Sequence, residues 1–414
     1  MKTYFKKTAP ILLVSTLALF ATNGDTLIGV GVKTRGMGGA GIAFSHGAES
    51  TLVNPSLITD IKQKDVSLGG TIFRPNIKTT LSSQTPNGKV ADSLRSKSGI
   101  SMIPTISAVS PITDNIFIGV GMYGTAGMGT DFRNGGESSL MQGNRKLFDS
   151  ETTLNLLQFS IPVAIKEDKL SVGIAPIIQY GSLDIHYSMF DKDGKPGIVS
   201  PGQKQDFGLG ANIGVNYKFD NGLSLGAIYK SKIKMDYKDS LKVPAKPFGI
   251  KLNGTLTQPS EYGIGLGYKK SKHGIAVDFK RINWGDASGY REFGWKNQNI
   301  FAIGYEYDNK NWALRAGYNY GSLPITIYNS NNQIEASKDM FNLLGFPATT
   351  KSHITLGGSY IFAKDFSMDF SFVYGLNQKS IADIGSAFGA PSEAIKILNE
   401  HSESSLSTQI NYRF

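Results

Sequence analysis

The chain has 414 residues, a formal net charge of +10, 48 Gly, 23 Phe, 18 Tyr and no Cys. Zero Cys excludes disulfide frameworks, Cys-bearing zinc sites, iron–sulfur clusters and Cys nucleophiles together, and with only five scattered His no metal or cofactor is expected. Aromatic residues are too plentiful and charge too sparse for disorder, and beyond the N-terminus no apolar run approaches the ~18 residues a spanning helix needs.

Lys2, Lys6 and Lys7 precede an apolar stretch from Pro10 to Phe20 and the small residues Ala21 and Thr22. This is the pattern of a secretory signal, expected over residues 1–22 and too short for an anchor. The chain stays basic after its three lysines are removed. Outside the cytosol, basic surfaces suit lipid head groups or anionic solutes. No Lys/Arg cluster with interleaved aromatics points to nucleic acid.

Residues 23–64 lack strand periodicity and carry Gly29, Gly31, Gly36, Gly38, Gly39, Gly41 and Gly47. The run Gly36-Met37-Gly38-Gly39-Ala40-Gly41 satisfies a dinucleotide fingerprint literally. However, no βαβ unit follows it, and the glycines read instead as backbone able to pack closely. The segment is expected to fold as a plug.

From residue 65 onward the hydrophobic period is two. Phe207, Leu209, Ala211, Ile213, Val215, Tyr217 and Phe219 share one face, against Gly208, Gly210, Asn212, Gly214, Asn216 and Lys218 on the other. The pattern recurs in 223–237, 262–268, 275–279, 301–307, 312–320, 354–362, 366–374 and 406–414, and less cleanly in 66–72, 100–109, 116–122, 155–165 and 172–180. Short polar turns at 113–115, 167–169, 220–222, 270–274, 308–311 and 363–365 alternate with long links at 82–98, 124–152, 188–203, 239–258, 286–298, 321–350 and 376–403. Short turns at one end and long loops at the other mark a transmembrane barrel, with aromatic girdles near strand ends. The expected fold is all-β: an antiparallel transmembrane barrel of about fourteen strands over residues 65–414, wide enough to need a stopper.

The stretch from Gly36 to Ala43 and the step Asn54-Pro55-Ser56-Leu57-Ile58 resemble the N-terminal hatch of the outer-membrane long-chain fatty acid transporter family. That family includes aromatic-hydrocarbon uptake channels. Its Asn-Pro-Ala step here carries Ser56 for Ala, and the resemblance continues at Gly124, Thr125 and the terminal aromatic Phe414. It implies a fourteen-stranded barrel in the outer membrane of a Gram-negative bacterium, with Arg35, Gly36, Gly38, Gly39, Gly41, Asn54 and Pro55 in the hatch. It also implies passive uptake of hydrophobic molecules, long-chain fatty acids first and aromatic hydrocarbons second, captured by loops and held in an apolar pocket. Release is sideways, through an inward kink of the third strand at Gly124, Gly127 and Gly129. Expected partners are hydrophobic small molecules, outer-membrane lipids and the barrel assembly machinery, with the chain acting as a monomer.

A fatty-acid site needs a greasy pocket and one or two cations. The second long link offers Phe132, Leu140, Met141, Leu147 and Phe148 beside Arg133, Arg145 and Lys146. Alternation turns Asp278, Lys280 and Arg315 inward, making Lys280 and Arg315 candidate carboxylate partners unless lumen charges pair with one another. Arg35 is either such a cation or a pin holding the plug to the wall. Asp184 and His186 share a strand face, but no Ser is marked to complete a triad, so no enzyme is expected. A general porin or a loop-borne adhesin are the competing readings.

Overall fold

The computed structural model describes residues 22–85, 88–133, 135, 149–190 and 195–414. The barrel strands are β1 (Asp65–Thr85), β2 (Gly88–Arg95 and Ser101–Pro111), β3 (Ile116–Asp131), β4 (Ser150–Ser160 and Val163–Glu167) and β5 (Leu170–Phe190). They continue as β6 (Lys204–Lys218), β7 (Leu223–Lys230), β8 (Glu261–Lys270), β9 (His273–Ile282) and β10 (Gln298–Asp308). The last four are β11 (Trp312–Gly321), β12 (Ser352–Ala363), β13 (Phe366–Asp383) and β14 (Ile395–Arg413). Each pairs antiparallel with the next, and β14 returns onto β1 from Arg413↔Asp65 to Ile395↔Ser83, closing a fourteen-stranded barrel. Closure leaves no sheet edge to solvate, which is what a hydrocarbon surround demands.

The period of two becomes the two faces of the wall. On β6, Phe207, Leu209, Ile213 and Val215 are exposed, while Asn212, Gly214 and Asn216 are buried inside. Aromatics collect at the short-turn end: Phe366 stacks on Tyr412 at 4.6 Å, and Tyr412 on Phe414 at 5.0 Å. Such a belt suits the membrane–water interface, where a ring with one wet edge sits best.

Several boundaries differ from the periodicity: β1, β3, β5 and β13 run on to Thr85, Asp131, Phe190 and Asp383, and β14 starts at Ile395, all inside expected links. The segment 223–237 does not run as one strand: the ladder stops at Lys230, after which the Ser231 amide donates to the Ala211 carbonyl and the Ser231 hydroxyl accepts from the Ala211 amide, both at 2.9 Å. Ile233–Asp236 then pairs with Thr255–Gln258 in a separate two-stranded sheet. The glycines of β6 explain the departure, because a Cβ at Gly208 or Gly210 would lie 2.5 or 2.6 Å from Ile233. The missing side chains leave a shelf on the inner wall, and Ile233 fills it. Likewise 82–98 is mostly strand, since Lys78–Thr85 pair with Gly88–Arg95 in a projecting hairpin.

Residues 22–64 lie inside this cylinder and are buried almost throughout. They form a short helix (Val32–Gly36), a second turn of helix (Ser50–Val53) and a 3-10 stretch (Pro55–Asp60), with Asn54 capping the last by accepting from the Ser56 amide.

Candidate functional site

The N-terminal segment follows the inner wall strand by strand, and at each strand a glycine makes room for it. Added Cβ atoms would come within 3.1 Å of the segment at Gly357 on β12, Gly317 on β11, Gly304 on β10, Gly265 on β8, Gly226 on β7, Gly214 on β6 and Gly173 on β5. Polar side chains of the same wall bond the segment's backbone. Thr355 accepts from the Gly38 amide at 2.9 Å and donates to the Gly36 carbonyl at 3.0 Å. Asp278 accepts from the Gly41 and Ile42 amides at 2.7 and 3.0 Å, and Asn319 donates to the Gly38 carbonyl at 2.9 Å; within the segment, Asn54 donates to the Ile42 carbonyl at 2.6 Å. Gly38 and Gly39 take positive φ (68° and 82°), and at Gly39 a Cβ would sit 1.8 Å from the Ile28 carbonyl. No other residue fits there. Pro55 abuts Gly173 on β5.

The wall is interrupted at one seam. β2 and β3 pair from Pro111↔Phe117 up to Thr105↔Tyr123 and no further. Above that, Ser101–Pro104 stay on β1, whereas β3 stays on β4 with a register shift between Gly124 and Ala126. The burial alternation of β3 ends at Met122, and every residue from Tyr123 to Thr130 is buried. From Tyr123 onward both faces of β3 are covered, and Thr26 of the N-terminal segment pairs with it at Ala126. Gly124, Gly127 and Gly129 all lie in this stretch. The strands meet again above, where the Lys97 amide donates to the Asp131 carbonyl at 2.7 Å. Inside the seam, Thr26 bridges to Ala126, the Gly127 amide donates to the Asp25 carbonyl at 2.8 Å, and Leu27 packs with Phe73 and Ile103.

Next to the seam is an apolar pocket. Met128, Leu154, Leu183 and Ile185 of β3–β5 form one side, and Tyr290, Phe293, Trp295, Phe341 and Phe346 from two long loops the other. The rings hold one another: Phe293 stacks on Phe341 at 4.5 Å, and Trp284, Tyr290 and Trp295 are mutually 4.7 to 5.0 Å apart. Asn342, the one amide at the pocket, accepts from Trp295 Nε1 at 3.1 Å and donates to the Phe293 carbonyl at 2.8 Å. Its polar ends are therefore spent on the scaffold. The free space is about 20 Å³, so a ligand must displace the loop bearing Phe341 and Phe346.

Besides Met128, a hydrogen bond joins the pocket to the seam. Tyr290 donates its hydroxyl to the Asp25 carboxylate, and Gln258 and Thr26 donate to the other oxygen at 3.0 and 3.1 Å. Burial outweighs these donors and pushes the Asp25 carboxyl up to about 6.

The residues singled out in the sequence lie elsewhere. Phe132 is fully buried at the end of β3, outside the pocket lining. Leu140, Met141, Leu147 and Phe148, with Arg145 and Lys146, fall outside the described residues, as does the expected signal except Thr22. Arg315 faces inward but is held by Glu306 at 2.8 Å and Ser359 at 2.7 Å. Lys280 also faces inward, in the field of Asp278 and Glu261. Arg35 donates to Ser405 on β14 at 2.6 Å, a contact with the wall. On the β3–β5 side Arg133 pairs with Glu151 at 2.8 Å, and His186 lies 3.4 Å from Glu151 and 3.9 Å from Asp184. The aromatic pocket escaped the periodic reading because its rings come from loops. A usable signal was present: Trp284, Tyr290, Phe293 and Trp295 crowd one loop and include two of the three Trp in the chain.

Comparison with known proteins places this geometry. The chain is 24% identical over 436 residues to a long-chain fatty acid transport protein of Escherichia coli O6:H1, covering 91% of this chain and 92% of that one. It is 22% identical to outer membrane protein P1 of Haemophilus influenzae, covering 87% and 89%. In structure it resembles the Pseudomonas putida toluene transporter TodX, with a TM-score of 0.68 at 20% identity over 95% of this chain and 100% of that one. It also resembles a Pseudomonas aeruginosa FadL homologue, with a TM-score of 0.67 at 14% identity over 94% and 100%. The model of the outer membrane protein transport protein family (OMPP1/FadL/TodX) matches residues 15–273 and 277–414, and the chain accordingly belongs to that family of outer-membrane transporters of hydrophobic compounds.

Proposed function

We propose that the chain is a passive uptake channel for uncharged hydrophobic molecules, small aromatics foremost, which leave sideways through the β2–β3 seam into the bilayer. The observation that carries the substrate class is the charge around the pocket. Among the described residues no Lys, Arg or His lines it, and the ionisable group bonded to its wall is the acid Asp25. A carboxylate ligand would be desolvated there without a cation, which costs several kcal/mol or more. A neutral ring gains from stacking on Phe293 or Phe341. Residues 23–64 act as the hatch of this reading, with Gly36, Gly38, Gly39, Gly41, Asn54 and Pro55 seating it and Arg35 pinning it. Gly124, Gly127 and Gly129 form the exit.

Release follows from the Tyr290–Asp25 bond. A ligand entering the closed pocket pushes on Tyr290, and loss of that bond frees the strand-like piece Thr26–Leu27 that fills the seam. Lateral exit keeps the substrate out of water, so partition into the bilayer drives flux without an energy source.

The test is uptake by cells lacking other such channels. Labelled toluene should enter at least several-fold faster with this chain than without it, and labelled oleate should gain less. Phe341→Ala and Tyr290→Ala should each lower toluene entry about tenfold while the barrel still assembles. A larger gain for oleate than for toluene would overturn the neutral-substrate reading and return the fatty acid to first place, a reading favoured by the name of the Escherichia coli relative.

A further inference from the structure

The inner face of β12–β14 and β1 has a different chemistry from the apolar pocket. The inner face of β14 is polar from Asn411 through Gln409, Ser407, Ser405 and Glu403 to His401, and all six are buried. Its lower end opens at Asp65 and Arg413 into a cleft of about 630 Å³ on the short-turn side. Hydrogen bonds run up this face. Asn411 donates to Asp369 at 2.6 Å, Gln409 donates to Glu49 at 2.6 Å, Thr71 donates to Ser407 at 2.8 Å and Arg35 donates to Ser405 at 2.6 Å. At its upper end Glu403 lies between His353, which it bonds, and His401 at 3.6 Å. His401 is in turn hydrogen-bonded to the Pro347 carbonyl at 3.0 Å, so the loop after Leu343 roofs the column.

These contacts do not use up the polar atoms. Arg35 Nε and Nη1, Ser371 Oγ, His353 Nδ1, Gln409 Oε1 and Asp65 Oδ1 are buried along the same face with no hydrogen-bonding partner in the protein. Orphaned buried donors and acceptors each cost about 1–3 kcal/mol, and native proteins relieve that cost with protein partners or ordered water. A guanidinium with two idle nitrogens is the most demanding of the set. Orphaned atoms occur elsewhere on the inner wall too, at Asn212, Asn216 and Asp278; those on β12–β14 and β1 differ in lining one face that ends in an open cleft at one end and a roof at the other.

We propose that the face of β12–β14 and β1 behind the N-terminal segment is a water-filled half-channel, open to the periplasm at Asp65 and Arg413 and closed under Pro347, carrying water and small hydrophilic ions as far as His353, Glu403 and His401. It is a polar conduit separate from the apolar route past β3. Its wetted surface also gives the N-terminal segment one hydrated side, opposite the dry glycine-lined side on β5–β11.

The absence of Cys makes the test direct. Ser407→Cys and Ser371→Cys place thiols on two strands of the face at positions with no solvent exposure in the static fold. Ala302→Cys is the control. Ala302 is equally buried but packs among Met37, Ala40, Phe44 and Ala276 on the dry side. The purified full-length proteins, each checked for heat-modifiable mobility, are treated with 2-aminoethyl methanethiosulfonate, a small cation that stays in water. Both Ser-derived thiols should react at least tenfold faster than the control. Rates no faster than Ala302→Cys at both positions would overturn the half-channel; using two strands keeps the result readable if one variant fails to assemble.

Discussion

At the scale of single residues, Asp25 is where pocket, seam and N-terminal segment meet. It is fully buried, and burial lifts its carboxyl to about 6 from an ordinary 3.8. The docked segment therefore prefers the protonated acid, while the undocked segment, in water, ionises near 3.8. Below that value both states are protonated and the shift costs nothing. Between about 4 and 6 the undocked form loses its proton first, so docking weakens as pH rises, by up to ~3 kcal/mol at 1.36 kcal/mol per unit, and the loss is complete above about 6. Amide protection over residues 22–30, with exchange divided by the intrinsic rate at each pH, should accordingly be higher at pH 5 than at pH 7.5. Asp25→Asn should keep protection equally high at both pH values. A segment equally protected at both pH values in the unaltered protein would show that Asp25 is not a latch. The same residue shows the limit of sequence reading. Nothing local distinguishes Asp25 from the acids of the turns, because its character comes from Tyr290 and Gln258, both more than two hundred positions away.

At the scale of elements, β3 carries a single inserted residue, as β12 does at Phe362, and in β3 it coincides with the loss of pairing to a neighbouring strand. The register against β4 shifts at Thr125, between Gly124 and Ala126, and an extra residue of this kind bends its strand and raises its twist. Removing it should straighten β3 against β4 and bring Ala126–Thr130 back toward β2. Deleting Thr125 is expected to abolish most hydrophobic uptake while leaving assembly and heat-modifiable mobility intact; undiminished uptake would sink the lateral exit. Much of the wall was legible in the residues, because lipid outside and a small or polar lumen inside impose a strict period of two. Phe207 to Phe219 shows it in full. The turns were legible too, since tight hairpins restrict their residues: Asp168 and Lys310 stand at positive φ where Asp- and Asn-rich turns were expected. The inward glycines appeared as a small face, but their use as a seat did not, because the atoms they admit belong to a segment with no periodicity of its own. The end of alternation at Met122 was legible, since the period of two was read over 116–122 only; that Gly124 to Asp131 stay in the ladder against β4 was not, because a strand covered on both faces has no alternation to show. Alternation turns Lys280 and Arg315 inward as expected; Glu306 pairs with Arg315, the alternative the sequence left open for lumen charges, and neither residue lines the aromatic pocket.

At the scale of the whole molecule, the barrel and its N-terminal segment form a composite that is too tight to be accidental. A fourteen-stranded cylinder is wide enough to leave a lumen, and here that space is filled by backbone laid directly on glycine. The contact depends on small size at many points of the circumference, so it should be sensitive to one methyl group and indifferent to outer-face changes. At Gly317 a Cβ would stand 2.3 Å from the Gly38 amide nitrogen and 2.4 Å from the Met37 carbonyl carbon, atoms of backbone that cannot swing aside. Gly317→Ala must therefore lift the segment off β11, and its neighbours on β10 and β12 go with it because they share the same few residues. Removal of residues 25–58 is the extreme case. Both proteins should still assemble, because the ladder from β1 to β14 contains none of these residues, but in planar bilayers both should pass ions where the unaltered protein stays closed. The deletion should give steady currents and Gly317→Ala smaller, flickering ones. Leu314→Ala, which trims an exposed side chain two residues from the glycine's neighbour on the lipid face, should remain silent. A deletion variant as tight as the full chain would mean that the loops, and not the N-terminal segment, seal the barrel.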